Sequence, residues 1–233
     1  MKKYFVLLML INIQLSFAGT CDPQRKDYFC IEPTDIRNAE MTESEFYKIP
    51  FEIYALYIKE IQQLPYPVLI KADWKSPYFG AGVSLYENSY NLMILGGTTR
   101  MKDMTLDGYA AIVCHEFGHL FGGDPKQTIT GSDWASAEGQ ADHFAASKCL
   151  EKFFINRGIK EKTQVDLKIE KAGFDFLNAA SKIESSPQRK ILKRAFVKLP
   201  AVNETIINQY PSTQCRYESY RNPKIRPTCW FKD

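Results

Sequence analysis

Histidine is scarce in this sequence, the net charge is small, and no long apolar run follows the first eighteen residues. Each shortage narrows the reading. The formal charge of +3 includes Lys2 and Lys3 at the extreme N-terminus, so the rest of the chain is close to neutral and no nucleic-acid partner is expected. The lack of a second apolar stretch excludes a chain that threads a membrane repeatedly. No repeat or low-complexity tract is present, which excludes a solenoid. What is there suffices for a core: 45 % of the residues are hydrophobic, enough for one domain. Because the chain has only three histidines, finding two of them four residues apart carries weight.

The N-terminus has the order of an export signal. Lys2-Lys3 precede an apolar run over residues 4–13, and Ser16-Phe17-Ala18 forms a small-x-small cleavage site. Residues 1–18 are therefore expected to be a signal peptide, cleaved after Ala18, which predicts a secreted or periplasmic protein with no transmembrane segment once the signal is removed. Six cysteines in an exported chain suggest disulfides. Local closure favours Cys21 with Cys30 and Cys215 with Cys229. That leaves Cys114 and Cys149, either bridged to each other or present as two buried thiols.

Residues 19–44 mix Pro, Asp, Thr and Arg without periodicity and read as an irregular N-terminal arm. Residues 45–233 read as a single domain with a disulfide-closed C-terminal segment. Apolar positions at Phe46, Ile49, Ile53, Leu56, Tyr57 and Ile61 predict an amphipathic helix over 46–64, despite Pro50, and Pro65 and Pro67 stop it. Val68-Leu69-Ile70 predicts a strand. Residues 80–86 and 90–95 flank Glu87-Asn88-Ser89 as a hairpin that ends in Gly96-Gly97. Small residues at such an edge would let an extended peptide approach, which makes Gly96 and Gly97 candidate substrate-binding positions.

Asp103 or Thr105 can cap the next helix, which runs through Leu106, Ala110, Val113 and Phe117 to Leu120, with Gly122-Gly123-Asp124-Pro125 as its stop. A further long helix is expected over 134–156, another over 165–183, and another over 189–199. Residues 215–231 interleave Arg216, Arg221, Lys224 and Arg226 with Tyr217, Tyr220 and Trp230, and read as a solvated loop closed by Cys215 and Cys229.

His115-Glu116-Phe117-Gly118-His119 carries the chemistry. Positions four apart on a helix are separated by about 40°, so His115 and His119 project from one face and can hold one ion. Glu116, about 100° round the helix from His115, can reach a water beside that ion. A catalytic zinc takes three protein ligands and leaves one position open. The extended form of the motif, with a third histidine six residues after His119, fails because Pro125 stands there; the methionine turn of that class is excluded too, since the last methionine is Met104. The remaining candidate is Glu138, nineteen residues after His119, with Asp142 four residues further on the same helical face. Glu138 can bind the metal, and Asp142 can accept the spare imidazole N–H of His115 if the two helices run antiparallel. His143, adjacent to Asp142, points about 100° away and reads as a packing or surface residue.

His115-Glu116-x-x-His119 followed by Glu138-x-x-x-Asp142 resembles the gluzincin group of zinc metallopeptidases. The run Glu138-Gly-Gln-Ala-Asp142-His-Phe-Ala resembles the corresponding helix of the M48 family. The resemblance covers residues 105–150, with a looser match beyond. In that family a His-Pro step follows, with an arginine six residues after the histidine; Tyr210-Pro211 and Arg216 stand at the same spacing here, with Tyr210 in place of the histidine. It implies an α+β, zincin-like metallopeptidase fold, mostly helical, with a small antiparallel or mixed sheet beside the metal-site helix. It also implies a Zn²⁺ cofactor on His115, His119 and Glu138, with Glu116 and Tyr210 catalytic and Asp142 and Arg216 supporting them.

The expected function is therefore that of an exported zinc metalloendopeptidase acting on a peptide or protein substrate. Latency imposed by residues 19–44, or by an inhibitory or regulatory partner, is compatible with that reading. Two other classes compete: a non-catalytic, zinc-stabilised exported binding module, and a metal-free exported structural protein whose histidines are incidental.

Overall fold

A computed structural model describes residues 30–31, 41–182, 192–194 and 197–233. The expected signal peptide, most of the N-terminal arm and the Cys21 end of the expected Cys21–Cys30 bridge lie outside the described residues. The architecture is α+β: helices make up most of the fold, and a three-stranded mixed sheet packs at one side of them. Among the described residues, no helix is long and apolar enough to cross a membrane.

Helix α1 spans Glu43–Leu56 and opens on a capping box, with Thr42 and Glu45 each bonding the other's backbone N–H. It tolerates Pro50 and buries Phe46, Ile49 and Ile53. The single helix expected over 46–64 breaks at Tyr57, beyond which α2, Ile58–Ile61, adds one turn. Strand β1 (Val68–Asp73) pairs in parallel with β3 (Ser89–Leu95), and β3 pairs antiparallel with β2 (Ala81–Tyr86), giving the order β1-β3-β2. The hairpin turns on Glu87 and Asn88, both at positive φ, which suits a tight turn between twisted strands. Leu92 and Ile94 face the core, where they meet α1 and the central helix α3, Leu106–Phe121.

Residues 108–119 of α3 are all buried. This helix is the axis of the molecule, packed by α1, by β2, by α4 (Glu138–Phe144) and by α6 (Lys162–Ser181). The helix expected from residue 134 starts only at Glu138. Ser136 and Ala137 are held extended instead: Ser136 N–H donates to the His119 carbonyl, Ala137 N–H donates to Pro125, and Lys126 bridges Ser136. From α4 the chain continues through a wider, π-type turn over Ala145–Cys149 into α5, Leu150–Asn156.

Two C-terminal expectations are corrected. Of the helix expected over 189–199, residues 189–191, 195 and 196 lie outside the described residues. The rest is irregular, and the Gln214 side chain takes both the N–H and the carbonyl of Lys193. The expected solvated loop after Pro211 contains α7, Thr213–Arg221, capped by Ser212. Its Arg216, Tyr217 and Tyr220 are buried, so the basic-aromatic interleaving reflects packing, not a wet surface. The expected Cys215–Cys229 bridge is present, and Cys114 and Cys149 are bridged as well, which settles that pair against two free thiols.

Candidate metal centre

His115 and His119 extend from α3 toward α4, which presents Glu138 from its first turn. The two helices approach closely because position 118 is glycine: a Cβ there would lie 2.5 Å from the Ala141 carbonyl oxygen. The extended segment just before α4 brings Ser136 under His119, and His119 Nδ1 lies 2.8 Å from the Ser136 carbonyl oxygen. That oxygen can only accept, so Nδ1 carries the proton and Nε2 presents a lone pair. His115 Nδ1 lies 2.9 Å from Asp142 Oδ1, an ionised carboxylate that likewise accepts. Both rings are thereby fixed with Nε2 facing inward.

The inward atoms meet at Glu138. His115 Nε2 is 3.1 Å from Glu138 Oε2, and His119 Nε2 is 3.7 Å from Oε1. With the imidazoles neutral, lone pairs confront lone pairs, and Glu138 Oε2 is a buried acceptor without a donor. A positive charge, a proton or a metal ion, belongs between them. The charge response agrees. Burial alone would lower the His115 pKa, but Asp142 and Glu138 outweigh it and push it up to about 10. Burial alone would raise Glu138, but His115 and His119 hold it down to about 2. Around a tetrahedral ion with bonds of about 2.0–2.1 Å, neighbouring ligand atoms stand about 3.4 Å apart. The two separations here bracket that value, and one donor atom from each of the three residues lies within 4.8 Å of the others. These residues can hold a metal ion.

Asp142 is fully buried and supported on every side. Arg216 Nε donates to its Oδ2 at 2.6 Å, Arg216 Nη2 to Oδ1 at 3.1 Å, and Tyr220 Oη to Oδ1 at 3.2 Å. Burial works against its ionisation, yet Arg216 and His115 keep its carboxyl well below the usual range. Glu116 is 6 % exposed, and burial pushes its carboxyl upward. Tyr210 lies over the same region, its ring centre 5.1 Å from the Arg216 guanidinium carbon. Tyr210 as a residue is 65 % exposed, yet desolvation of its hydroxyl, with the charge of Glu138, raises its pKa.

His115, Glu116, His119, Glu138, Asp142, Tyr210 and Arg216 are thus brought together. Gly96 and Gly97 are not part of this group. They sit in a buried 3₁₀ turn, Gly96–Arg100, where a Cβ on Gly96 would overlap the Trp74 carbonyl and one on Gly97 that of Pro77. Their smallness serves internal packing against Trp74 and Pro77. His143, next to Asp142, is half-buried and is not among the three grouped ligands.

Three participants were not legible in the sequence. Ser136 acts through its backbone carbonyl, which leaves no side-chain signature. Tyr220 follows Arg216 by four residues and shares its helical face, a signal available only once that segment is read as helix. Trp230, next to Cys229, packs its ring on Gly139, immediately after Glu138, where a Cβ would overlap it. Compared with family models, curated proteins and solved structures, the chain finds no match.

Proposed function

We propose that this chain is an exported zinc-dependent metalloendopeptidase of the gluzincin kind, resembling the M48 family in its motif. The observation that carries the proposal is the convergence of the inward lone pairs of His115, His119 and Glu138 on one buried point, with the Glu116 carboxyl buried beside it. A zinc ion held by these three residues would lower the pKa of a bound water and polarise the scissile carbonyl. Glu116 takes the proton from the attacking water and passes it to the departing amine nitrogen; its upward-shifted pKa suits a group that must both accept and release a proton. The Tyr210 hydroxyl donates to the oxyanion that develops on the carbonyl oxygen, and its raised pKa keeps it protonated for that task. Asp142, held by Arg216 and Tyr220, keeps His115 in the tautomer that presents Nε2.

The rival reading of a structural zinc site asks for four protein ligands. Among the described residues the group comprises three, which favours an open position. The test uses the purified mature chain, its zinc content and a peptide library with and without chelator. Zinc near one equivalent, chelator-sensitive cleavage, and a Glu116→Gln variant that keeps its metal while losing about 100-fold or more in turnover are expected. A metal-free protein, or a Glu116→Gln variant that cleaves like the wild type, would overturn the proposal.

A further inference from the structure

Tyr210 lies on an irregular strap that precedes α7. On one side the strap is pinned to the C-terminal segment, with Val202 N–H on Thr228, Ile206 N–H on Trp230, and the Thr205 side chain on the backbone of Lys232. On the other side it is anchored by buried Pro211 and the Ser212 cap of α7. Between these anchors, residues 207–210 carry Tyr210 across the metal group. Within that span the Asn208 side chain reaches the loop over residues 122–137, which joins the two ligand helices. Thr128 N–H donates to Asn208 Oδ1 at 2.9 Å, and Asn208 Nδ2 donates to Thr128 Oγ1 at 2.7 Å.

The reciprocity of this pair is informative. Both functional ends of the amide are used by one residue eighty positions away in sequence, so the strap cannot slide along the loop without breaking both bonds. The loop it grips is fixed in turn to the metal group, since the Ser136 carbonyl at its far end holds His119. The position of the Tyr210 phenol relative to the histidines is therefore set in part through Asn208 and Thr128, beside the anchors at Ile206, Pro211 and Arg216. Both residues are exposed, and bonds exposed to water contribute little to global stability. Their effect is on position.

We propose that Asn208 and Thr128 form a positioning clasp that holds the Tyr210 hydroxyl at the oxyanion side of the metal group; this rests on the reading of Tyr210 as the oxyanion donor. Neither residue touches the reacting atoms. The strap's tyrosine is displaced when the clasp opens, and transition-state stabilisation is lost while substrate binding is not.

The experiment compares Asn208→Ala, Asn208→Asp and Tyr210→Phe in the full mature chain, using the best-cut library peptide and amide hydrogen exchange. Asn208→Ala is expected to lower kcat about tenfold with KM within about twofold, at unchanged zinc content and unfolding temperature. Exchange at Thr128 and over 205–210 should speed up. Asn208→Asp should restore kcat, because a carboxylate still accepts from Thr128 N–H and the Thr128 hydroxyl can turn to donate to its second oxygen. The Asn208→Ala/Tyr210→Phe pair should be no slower than Tyr210→Phe alone. Faster exchange with unchanged kcat, or additive losses in the pair, overturns the clasp while Glu116-dependent cleavage leaves the peptidase reading intact. Glu116-independent cleavage removes both.

Discussion

At the scale of single residues, the third histidine is as instructive as the two in the motif. His143 is half-buried on α4, its Nδ1 is buried without a hydrogen-bond partner, and burial together with Arg226 and Lys148 drops its pKa from 6.5 to about 4. The unfolded chain accepts a proton below pH 6.5 that the folded chain refuses until about pH 4. Stability from this residue is thus complete above pH 6.5, falls as pH drops through that window, and levels off below it. Replacing His143 with Gln should flatten the acid limb of a stability-versus-pH curve between pH 6.5 and 4; an equally steep limb in the variant would show that His143 is not its source. Residue types also explain what could be read in advance. Imidazole and carboxylate side chains at fixed helical spacing announce their chemistry, so His115, Glu116, His119, Glu138 and Asp142 were legible from the sequence. The Ser136 carbonyl is the same atom in every residue and was not.

At the scale of elements, the site depends on how near two helices come. Gly118 lets the α4 backbone lie against α3, with its absent Cβ facing Ala141 O at 2.5 Å and Ala141 Cα at 2.7 Å. Gly118→Ala gains about 1 kcal/mol of helix propensity but must push α4 outward, an overpacking cost of about 1–3 kcal/mol in a rigid interior. The expected result is a lower unfolding temperature together with weaker metal retention, because α4 carries Glu138. An unfolding temperature and metal content equal to the wild type would refute the argument. Elements were legible where one face is apolar and the other is not, as in α1 and α6, and α3 was legible through its cap, its glycine stop and the spacing of its histidines. They were illegible where nearly every face is buried, as in α7, or where backbone groups are claimed by a neighbour, as in the segment just before Glu138 and beside Gln214.

At the scale of the whole molecule, covalent links reinforce this arrangement. Cys114–Cys149 joins α3 to the wide turn after α4, closing 35 residues that include all three candidate metal ligands. Loop-closure entropy for that length corresponds to about 3–4 kcal/mol. The Cys114→Ala/Cys149→Ala double variant should lose stability of that order in chemical denaturation, and a loss below about 1 kcal/mol would count against an entropic role for the bridge. The second bridge, Cys215–Cys229, sets the C-terminal segment so that Trp230 bears on Gly139. Local closure of that pair was readable from spacing, whereas its reach to α4 was not, since it depends on where α7 packs. The turn over Ala145–Cys149 has a further consequence. One extra residue in a helical turn rotates everything beyond it by about 100°. Glu138 and Asp142 before the turn address the metal group, while Phe153 and Phe154 beyond it address the core and Arg157 reaches Glu52 of α1. What those five residues must keep is their number: many side-chain changes there leave the phase of the rod untouched, but a single insertion or deletion would turn one half of it away from its partners.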